Sequence, residues 1–568
     1  MQTENPTKNY KKYLPYGIAG CVVLALLALF AGIGLFLVLG GLPFLSGSGN
    51  QMLVAFVSRN RMVDLYLLKK NQQPQKGILL VENAEKANIY GSIGDESNRY
   101  EFTMSDMGAF VPGSNQVLFW YLDDNKTILN IAATSGKGIS TILESKEDYL
   151  YVWMPSQTSN FALIFEPKGS EIRCYITRKW GEAVRLAKGE NIAFPKNGKF
   201  IVYSEIHSQK TTLRRIDTAS EKEILLLDDE PDVGWFQLSK DGRILVYFKQ
   251  SSSGGQLIAI DAANGNPVWE SEKYDQIPNF TFASDGHDFA FIANDGVGKL
   301  KLIAYHKDRE IEVTQSYGLD FRFSTDGKYL LHQSMDKKGE ITLSSYDFAS
   351  QNSLEIKQFD NAVDLATIED KSGFLLIDNS DGNATLYYVT DNGETLTKLY
   401  QQRDGNLVQV LYLEGKKDIL LRTSGMDGES LILTPYNQED KGLVLLEEWA
   451  EIVPLNISPD FKTIVIKGRQ DSNDDWILYA IDLRGKNDPL ELDDDAKDYL
   501  NAVFSKNSKD IIYTARTGYN DNDVEILQKN LNSKDRPQVL YEEAVLESVQ
   551  WGRLINDFTL YFWNSLID

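Results

Sequence analysis

The stretch Phe194-Pro-Lys-Asn-Gly-Lys-Phe-Ile-Val-Tyr203 decides the fold, because variants of it recur along the chain. Most clear copies join an apolar residue to an Asp-Gly or Asn-Gly pair, which tolerates the positive φ angles of tight turns. A β-branched or aromatic run that favours a strand then follows. Clear copies begin at Leu238, Phe282, Phe323, Ile457 and Phe504, and looser copies begin near Phe110, Met154, Ile368 and Leu411.

The repeat contains enough sequence for a small β-sheet. A further strand after the turn often ends in Asp, as in Gln256–Asp261, and a short fourth strand follows, as in Glu223–Leu227. Four antiparallel strands cannot bury both faces alone, whereas radially stacked sheets can, and they leave only short edges exposed. The copies start roughly every 40–47 residues, which is the period of propeller blades. The sequence therefore predicts an all-β propeller architecture.

The phrase Phe323-Ser-Thr-Asp-Gly-Lys328 resembles the WD40-like repeat of TolB-type propellers, and related phrases cover almost all of the chain after about residue 46. The resemblance implies a propeller but no single function, because such propellers serve as binding platforms, enzyme scaffolds and gating domains. Ala259–Trp269 also resembles a repeat of quinone-dependent dehydrogenases. It occurs once, so we interpret it as a blade turn and predict no cofactor.

Incomplete units stand at the two ends of the repeat array. Strands at Met52–Phe56 and Val63–Leu68 lack a preceding first strand, whereas Glu547–Trp551 and Phe558–Phe562 look like the first half of a blade. This arrangement predicts closure by strands from distant parts of the chain. About twelve repeats are present if the partial units are counted separately, and about eleven if they pair.

A single ring rarely holds more than about eight blades. We therefore expect tandem propellers of about eleven to twelve four-stranded blades in total. The first would span 51–318 and the second 319–568, with the boundary near Ser316-Tyr-Gly318. If the partial blades pair, one of the two propellers is discontinuous in sequence.

The N-terminal region predicts a membrane anchor. No Asp, Glu, Lys or Arg occurs from Leu14 to Ser58. We assign a basic cytoplasmic tail to 1–15, a transmembrane helix to 16–42 and a linker to 43–50, since about 20 apolar residues suffice to cross a bilayer. Lysines and tyrosines before the helix favour a cytoplasmic N-terminus and a periplasmic or extracellular body.

Two alternatives concern the same region. A cleaved signal peptide would have a shorter apolar core, although the small residues Ser46, Gly47 and Ser48 could form a cleavage site. Ile18-Ala-Gly-Cys21 matches a lipoprotein processing motif, but the apolar core follows this cysteine instead of preceding it. The predicted anchor is therefore an uncleaved helix.

The net charge restricts the classes of partner, and the cysteine content restricts disulfide bonds. The formal net charge is −23, which disfavours nucleic acid and anionic lipid as ligands of the body. We expect a protein, peptide or glycan partner, with the membrane contacted through the N-terminal helix. Of the two cysteines, Cys21 lies in the apolar segment and Cys174 in the body, so the body contains no cysteine pair.

Local catalytic and metal-binding motifs are absent from the sequence. It contains no Gly-x-Ser-x-Gly elbow, no phosphate-binding loop and no helical hydrolase domain after the repeats. The histidines are not at metal-ligand spacing, and we predict no catalytic, cofactor or metal residue among them. The four histidines are His207, His287, His306 and His332.

Acidic stretches are the other candidates for ligand binding. Asp471–Asp475 and Asn520–Asp523 place oxygen ligands at alternate positions, but neither has the glycine and distal carboxylate of an EF-hand loop. Asp493–Asp495 and Asp228–Glu230 fit solvated loops between strands. We predict no metal site from these patterns.

Two functions remain open. The first is a membrane-anchored extracytoplasmic binding or scaffold module that holds its partner at a propeller face. The alternative is a propeller hydrolase or lyase whose site is assembled from several blade loops at a channel mouth, which would show no local motif. Repetition without a catalytic motif favours the first.

Overall fold

The computed structural model of the protein describes most of the chain between residues 51 and 551. The described ranges are 51–57, 63–69, 77–84, 86–88, 109–110, 116–133 and 135–551, the last with gaps at 148–149, 154–160, 196, 253, 284–285, 287, 295, 297, 369–372, 381, 414–417, 437, 440, 459, 505–507, 519–523 and 542–543. The predicted tail, membrane helix and linker lie outside these ranges, as do His287, Asn520–Asp523 and Phe558–Phe562. Within the described ranges, no helix is long and apolar enough to span a bilayer.

The described residues form eleven antiparallel sheets, numbered here as sheets 1 to 11. Sheet 1 contains β1 (Gln51–Val57), β2 (Val63–Lys69), β3 (Ile78–Ala84) and β45 (Ala544–Trp551); sheet 2 contains β4 (Lys86–Asn88), β5 (Ala109–Phe110), β6 (Gln116–Asp123), β7 (Lys126–Ala133) and β8 (Ser140–Ser145); sheet 3 contains β9 (Tyr151–Trp153), β10 (Phe161–Lys168), β11 (Glu171–Arg178) and β12 (Val184–Gly189); sheet 4 contains β13 (Ile192–Ala193), β14 (Phe200–His207), β15 (Lys210–Asp217) and β16 (Glu223–Pro231). Sheet 5 contains β17 (Val233–Leu238), β18 (Ile244–Ser251), β19 (Gly254–Asp261) and β20 (Pro267–Glu270); sheet 6 contains β21 (Gln276–Phe282), β22 (Phe289–Asn294), β23 (Leu300–His306) and β24 (Arg309–Ser316); sheet 7 contains β25 (Gly318–Phe323), β26 (Tyr329–Met335), β27 (Ile341–Asp347) and β28 (Asn352–Phe359); sheet 8 contains β29 (Asp364–Thr367), β30 (Gly373–Asp378), β31 (Ala384–Thr390) and β32 (Leu396–Gln402). Sheet 9 contains β33 (Gly405–Leu413), β34 (Asp418–Gly425), β35 (Gly428–Pro435) and β36 (Leu443–Trp449); sheet 10 contains β37 (Glu451–Ile457), β38 (Thr463–Arg469), β39 (Ile477–Asp482) and β40 (Leu490–Asp493); sheet 11 contains β41 (Asp498–Phe504), β42 (Asp510–Arg516), β43 (Val524–Asn530) and β44 (Gln538–Tyr541).

Most sheets are formed by consecutive strands that pair in sequence order, as expected for propeller blades. The prediction of an all-β body made of four-stranded antiparallel units is confirmed. In sheet 2, β4 and β5 both pair with β6, so this sheet has five strands.

Sheet 1 is built from both ends of the described chain. The strand β45 pairs antiparallel with β1, with Leu53 opposite Gln550 and Val54 opposite Val549. The predicted pairing of the two terminal units is therefore confirmed. Strands of sheet 11 contact β45, and strands of sheet 1 contact β4 and β6 of sheet 2, so the first and last sheets are also neighbours.

The recurring Ser-x-Asp-Gly phrase forms the turn between the first and second strands. In sheet 5, the Ser239 hydroxyl donates to Asp241 Oδ1 at 2.7 Å and accepts from the Ile244 amide at 2.9 Å. Gly242 has a φ of 76°, a conformation that costs glycine little. Ser324 and Asp326 repeat the hydroxyl–carboxylate bond at 2.9 Å in sheet 7. The motif therefore recurs because it satisfies the polar groups of a buried turn.

The Asp that ends the third strand organises the hairpin between the third and fourth strands, at the same end of the sheet as the Asp-Gly turn. Asp261 Oδ1 accepts the Ala263 amide at 2.6 Å, and Asp347 Oδ1 accepts the Ala349 amide at 2.8 Å. The residue after this Asp is buried in both sheets, as Ala262 and Phe348, and its amide donates to the backbone beside the Asp-Gly turn. The two turns at one end of each sheet are thus bonded together.

The core lies between the sheets. Each sheet from 2 to 10 packs against the next sheet through its own cluster of buried apolar side chains. The predicted boundary at residue 318 falls between β24 and β25, and one such cluster crosses it. From sheet 6 it takes Ala290, Ile292 and Leu302, and from sheet 7 Phe321, Phe323 and Leu330. The division into two rings stays a prediction.

Candidate functional site

Half-buried polar side chains recur on the first strands of sheets 5, 6, 7 and 10. Gln237 of β17, Thr281 of β21, Arg322 of β25 and Asn456 of β37 occupy the same register position, each opposite an apolar residue of the second strand. The Asn456 side-chain amide donates to the Ala502 carbonyl of β41 at 2.8 Å, so first strands of neighbouring sheets are in contact. In sheets 5, 6 and 7 these side chains form a short row of polar groups along the first strands.

The charged part of this row is formed by Asp320, Arg322 and Asp364, which we call the β25–β29 charge cluster. Arg322 Nη1 donates to Asp320 Oδ1 at 3.0 Å and to the Phe321 carbonyl at 2.7 Å. The Asp320 and Arg322 side chains are 31% and 42% exposed, and Asp364 is also exposed. Solvent therefore reaches two carboxylates and one guanidinium at a junction of two first strands.

The environment of Asp364 is unusual for an exposed carboxylate. Partial desolvation by the surrounding protein and the negative charge of Asp320 raise the pKa of Asp364, while Arg322 opposes the effect. Partial desolvation disfavours the ionised form of a carboxyl. A cationic ligand stabilises that form, because its charge replaces the missing solvation. The cluster is therefore suited to binding a positive group.

A buried amide holds Asp364 in place. Gln333 of β26 donates from Nε2 to the Val363 carbonyl at 2.9 Å and accepts the Val363 amide on Oε1 at 3.0 Å. Both residues are buried, and Val363 directly precedes Asp364. Leu365 on the other side is buried between sheets 7 and 8. The backbone on both sides of Asp364 is thus held in place, which fixes the point from which the carboxylate extends.

Two buried or half-buried carboxylates elsewhere are engaged in packing between sheets. Glu166 of sheet 3 accepts Arg173 Nη1 at 3.0 Å and the Tyr175 hydroxyl at 2.9 Å, and it also contacts Ser145 of sheet 2. Glu429 of sheet 9 accepts two Arg422 nitrogens at 3.0 and 2.7 Å and the Ile452 amide of sheet 10 at 2.6 Å. These two carboxylates hold neighbouring sheets together, and each of their oxygens has a hydrogen-bond partner.

Comparisons with known proteins give no family for the chain. No protein-family model matches it, and no curated protein is similar to it in sequence. Among solved structures it is similar to dipeptidyl peptidase 4 of Porphyromonas gingivalis, with 15% identity and a TM-score of 0.33 over 62% of this chain. The alignment spans 59% of the peptidase, which is less than two thirds of its length.

Two further structures show similar relationships. A eukaryotic initiation factor is 11% identical with a TM-score of 0.38, and the alignment covers 89% of this chain and 100% of that chain. TolB of Acinetobacter baumannii is 13% identical with a TM-score of 0.23, over 54% of this chain and 81% of that chain. No functional residue is carried over from these proteins.

The described histidines lie in three different sheets. His207 is exposed at the end of β14, whereas His306 contacts the Asp288 carboxylate and stacks on Phe348 of sheet 7 with ring centroids 4.5 Å apart. His332 of β26 is buried, and neither ring nitrogen has a hydrogen-bond partner. The structure therefore does not bring these histidines together as a site.

His332 occupies a position that is aromatic in neighbouring sheets. It lies opposite Phe321, just as Tyr247 lies opposite Phe236 and Phe291 lies opposite Phe280. Burial lowers the pKa of His332 to about 4. A depressed pKa gives stability that is present above the pKa of an unfolded histidine, about 6.5, and is lost as the pH falls towards 4.

We expect His332→Phe to raise the free energy of unfolding by roughly 3 kcal/mol at about pH 4, because a phenyl ring cannot be protonated. At neutral pH the gain should be smaller, roughly 1 kcal/mol, from removing two unpaired buried nitrogens. Urea unfolding at several pH values measures both. His207→Gln is the control and should change neither value. An equal gain at all pH values would contradict the assignment.

The acidic stretches differ partly from their predicted setting. Asp228, Asp229 and Glu230 were expected in a loop, but they lie within the outer strand β16 because its pairing with β15 continues to Pro231. Asp471–Asp475 form an exposed turn closed by their own hydrogen bonds. Asp494 and Asp495 are exposed as expected, whereas Asp493 is buried at the end of β40.

The sequence did not single out the β25–β29 charge cluster. A weak signal was present in Asp320-Phe-Arg-Phe323, where polar and apolar residues alternate with the period of a strand. Alternation shows that Asp320 and Arg322 share a face. It does not show that this face meets Asp364, more than 40 residues later, because that contact depends on how sheets 7 and 8 stack.

Proposed function

We propose that the chain is a binding module whose β25–β29 charge cluster receives a cationic side chain of a protein or peptide partner. The observation that carries this proposal is the pairing of two solvent-accessible carboxylates with a single guanidinium on adjoining first strands. The excess negative charge is local, and the net charge of −23 adds a long-range attraction for cations.

The position of the cluster in a propeller supports the same function. First strands surround the central channel of a propeller, and ligands bind where the blade loops converge on that channel. Asp320 and Asp364 lie on strands, and the Gln333–Val363 bonds restrict the backbone before Asp364. Binding therefore costs less conformational entropy. This arrangement suits recognition of a preformed partner surface.

We further propose that residues 16–42 anchor this module in a membrane with the body outside the cytoplasm, arranged as tandem propellers within 51–568. The support for the anchor is the uncharged stretch from Leu14 to Ser58 and the lysines that precede it. In this setting a partner is met at the outer face of the membrane. A glycan is the other extracytoplasmic ligand that a polar channel mouth would accommodate.

One observation favours an enzyme as the second candidate. Asp320 and Asp364 are neighbouring carboxyls in different environments, with Arg322 bonded to Asp320 and the pKa of Asp364 raised. Such a pair can supply a general base and a general acid for hydrolysis of a glycosidic bond. The binding function is preferred because the repeats carry no local catalytic motif.

Binding to cationic peptides tests the proposal. We expect the full chain to bind Lys- or Arg-containing peptides on an array and to ignore sequence-matched acidic peptides. Asp320→Asn combined with Asp364→Asn should weaken the tightest peptide at least about tenfold, which corresponds to about 1.4 kcal/mol. Fluorescence anisotropy with that peptide gives the dissociation constants.

The matched control is Asp228→Asn combined with Asp229→Asn on β16, which removes the same charge from an exposed outer strand. It should leave peptide affinity within about twofold at moderate salt. Equal losses in both double variants would mean that only the net charge matters and would contradict the proposed site. Turnover of glycoside substrates that disappears in Asp364→Asn would favour the enzyme instead.

A further inference from the structure

The turns at one end of consecutive sheets contact one another. Arg215 Nη1, near the end of the third strand of sheet 4, donates at 2.9 Å to the Ala262 carbonyl in the turn before the fourth strand of sheet 5. The Ser345 hydroxyl of sheet 7 donates at 2.9 Å to the Asp391 carbonyl in the equivalent turn of sheet 8. The Asp-Gly turns lie at this same end, so both kinds of turn form one surface, which we call the turn face. The other hairpins and the links between sheets form the opposite face, because the strands of each sheet alternate in direction.

The chain enters and leaves sheet 1 at the turn face. The strand β45 has the place of a first strand, since it lies at the edge of its sheet and contacts β41, the first strand of sheet 11. Its last residue, Trp551, pairs with Met52 near the start of β1. In other sheets the Asp-Gly turn joins these two places, as it joins Leu238 to the strand of Leu245 in sheet 5. The segments 1–50 and 552–568 therefore both connect to the turn face.

The predicted linker is too short to let the body turn over easily. Residues 43–50 span at most about 28 Å when fully extended. A strand such as β19, with 8 residues, is about 26 Å long. To bring the opposite face to the bilayer, the linker would have to run the length of a sheet almost fully extended, which costs conformational entropy. The connection therefore favours the turn face as the side nearer the membrane.

Charge distinguishes the two faces in the same sense. Among the described residues outside the strands, acidic residues outnumber basic residues at the opposite face but not at the turn face. Anionic lipid therefore repels the opposite face more strongly than the turn face. An exposed lysine or arginine ends several turns of the turn face, namely Lys199, Arg243, Lys328, Lys462 and Lys509. Exposed acidic residues of the opposite face include Asp232, Asp360, Asp404, Asp427, Asp471, Asp474 and Asp475.

We propose that the turn face lies against the membrane and that the opposite face is directed into the surrounding solution. This inference rests on the anchor at residues 16–42 proposed above. It also defines how a partner approaches the β25–β29 charge cluster. Asp364 is the first residue of β29 and Asp320 the third of β25, and first strands begin at the opposite face. The cluster is therefore reached from the side away from the bilayer, where the acidic surface attracts the same cationic partner.

Energy transfer between the body and a labelled bilayer tests this orientation. The full chain with Cys21→Ser is placed in phosphatidylcholine–phosphatidylglycerol nanodiscs that carry an acceptor dye on lipid headgroups. A donor dye is attached at Ala263→Cys in an exposed turn of the turn face, or at Ser252→Cys in the exposed hairpin at the other end of sheet 5. The remaining native cysteine, Cys174, is fully buried and does not compete for the dye. We expect transfer to be at least about twofold more efficient from Ala263→Cys, because the two positions are about 26 Å apart along the strands.

A second pair and a longer linker control this measurement. Ala349→Cys and Lys338→Cys lie at the two ends of sheet 7 and should give the same difference. A Gly-Ser segment inserted after Gly49 should reduce the difference in both sheets, since the body could then turn over. Equal or reversed transfer from a chain that stays with the nanodiscs would overturn the orientation and leave the anchor standing. A chain that elutes apart from the nanodiscs would overturn the anchor, and this inference with it.

Discussion

Neither half of the chain is expected to fold alone when it is divided at residue 318. The cut separates the cluster that joins sheets 6 and 7 and exposes Phe321, Phe323 and Leu330, which are buried in the intact chain. Each such side chain contributes about 1.5–3 kcal/mol by burial, so the loss approaches the whole stability of a domain. The cut also removes β45 from β1.

Expression of 1–317 and 318–568 as separate chains tests this expectation. We expect insoluble material or non-cooperative urea unfolding from each half, and recovery of cooperative unfolding when the halves are produced together. A full chain cleaved at an inserted protease site beside Gly339 is the control. That glycine lies in an exposed hairpin with open space around it, so cleavage there should preserve the fold. Two soluble, cooperatively unfolding halves would instead show that neither the cluster between sheets 6 and 7 nor the β1–β45 pairing is needed for folding.

Asp391 is expected to make the protein less stable as the pH rises from about 4 to 7. This residue directly follows β31, in the position that is Ala262, Phe348 and Leu483 in other sheets, and it is buried like them. Its Oδ1 has no hydrogen-bond partner. Burial, and then the charge of Asp326, raise the pKa of Asp391 to about 7.

The sign follows from comparison with the unfolded chain, where an aspartate has a pKa of about 3.9. A raised pKa gives stability that is fully present below that value and is lost as the pH rises through about 7. The difference corresponds to about 4 kcal/mol at 1.4 kcal/mol per pH unit. Asp391→Asn should therefore stabilise the chain by about that amount at pH 8 and hardly at all at pH 4.

Urea unfolding of the Asp391→Asn chain at about pH 4, 6 and 8 measures this difference. Glu394→Gln, an exposed change in the same turn, is the control and should follow the original chain at every pH. Because His332 contributes equally to all three chains, its opposite pH dependence cancels in the comparison. A constant difference between the Asn and Asp chains would show that folding does not raise the pKa of Asp391.

The sequence allowed the blades and their turns to be predicted because these depend on local chemistry. Ser239, Asp241 and Gly242 each satisfy a requirement of one turn, so their spacing alone is informative. Phe461 shows the limit, since it takes the glycine position with a φ of 53° while Ser458 and Asp460 keep the motif. Neighbouring bonds can therefore maintain a turn that lacks its usual glycine.

The candidate sites were not predictable in the same way. Burial of Asp391, His332 and Asp493 depends on which sheet covers them, and the repeat period does not contain that information. The sequence marked Asp493–Asp495 as a solvated stretch because acidic runs commonly face water. The structure places the first of these residues against Tyr513 of the next sheet. Contacts between blades thus decide which polar residues are buried.

The pairing of β1 with β45 has a consequence for biosynthesis. The ribosome delivers β1 roughly 490 residues before β45, a delay of about 25–100 seconds at usual elongation rates. Throughout that time β1 presents an unpaired edge that another nascent chain could occupy. Holdase chaperones that shield extended segments should therefore matter more for the yield of this protein than for a protein in which both neighbours of the first strand come from nearby sequence.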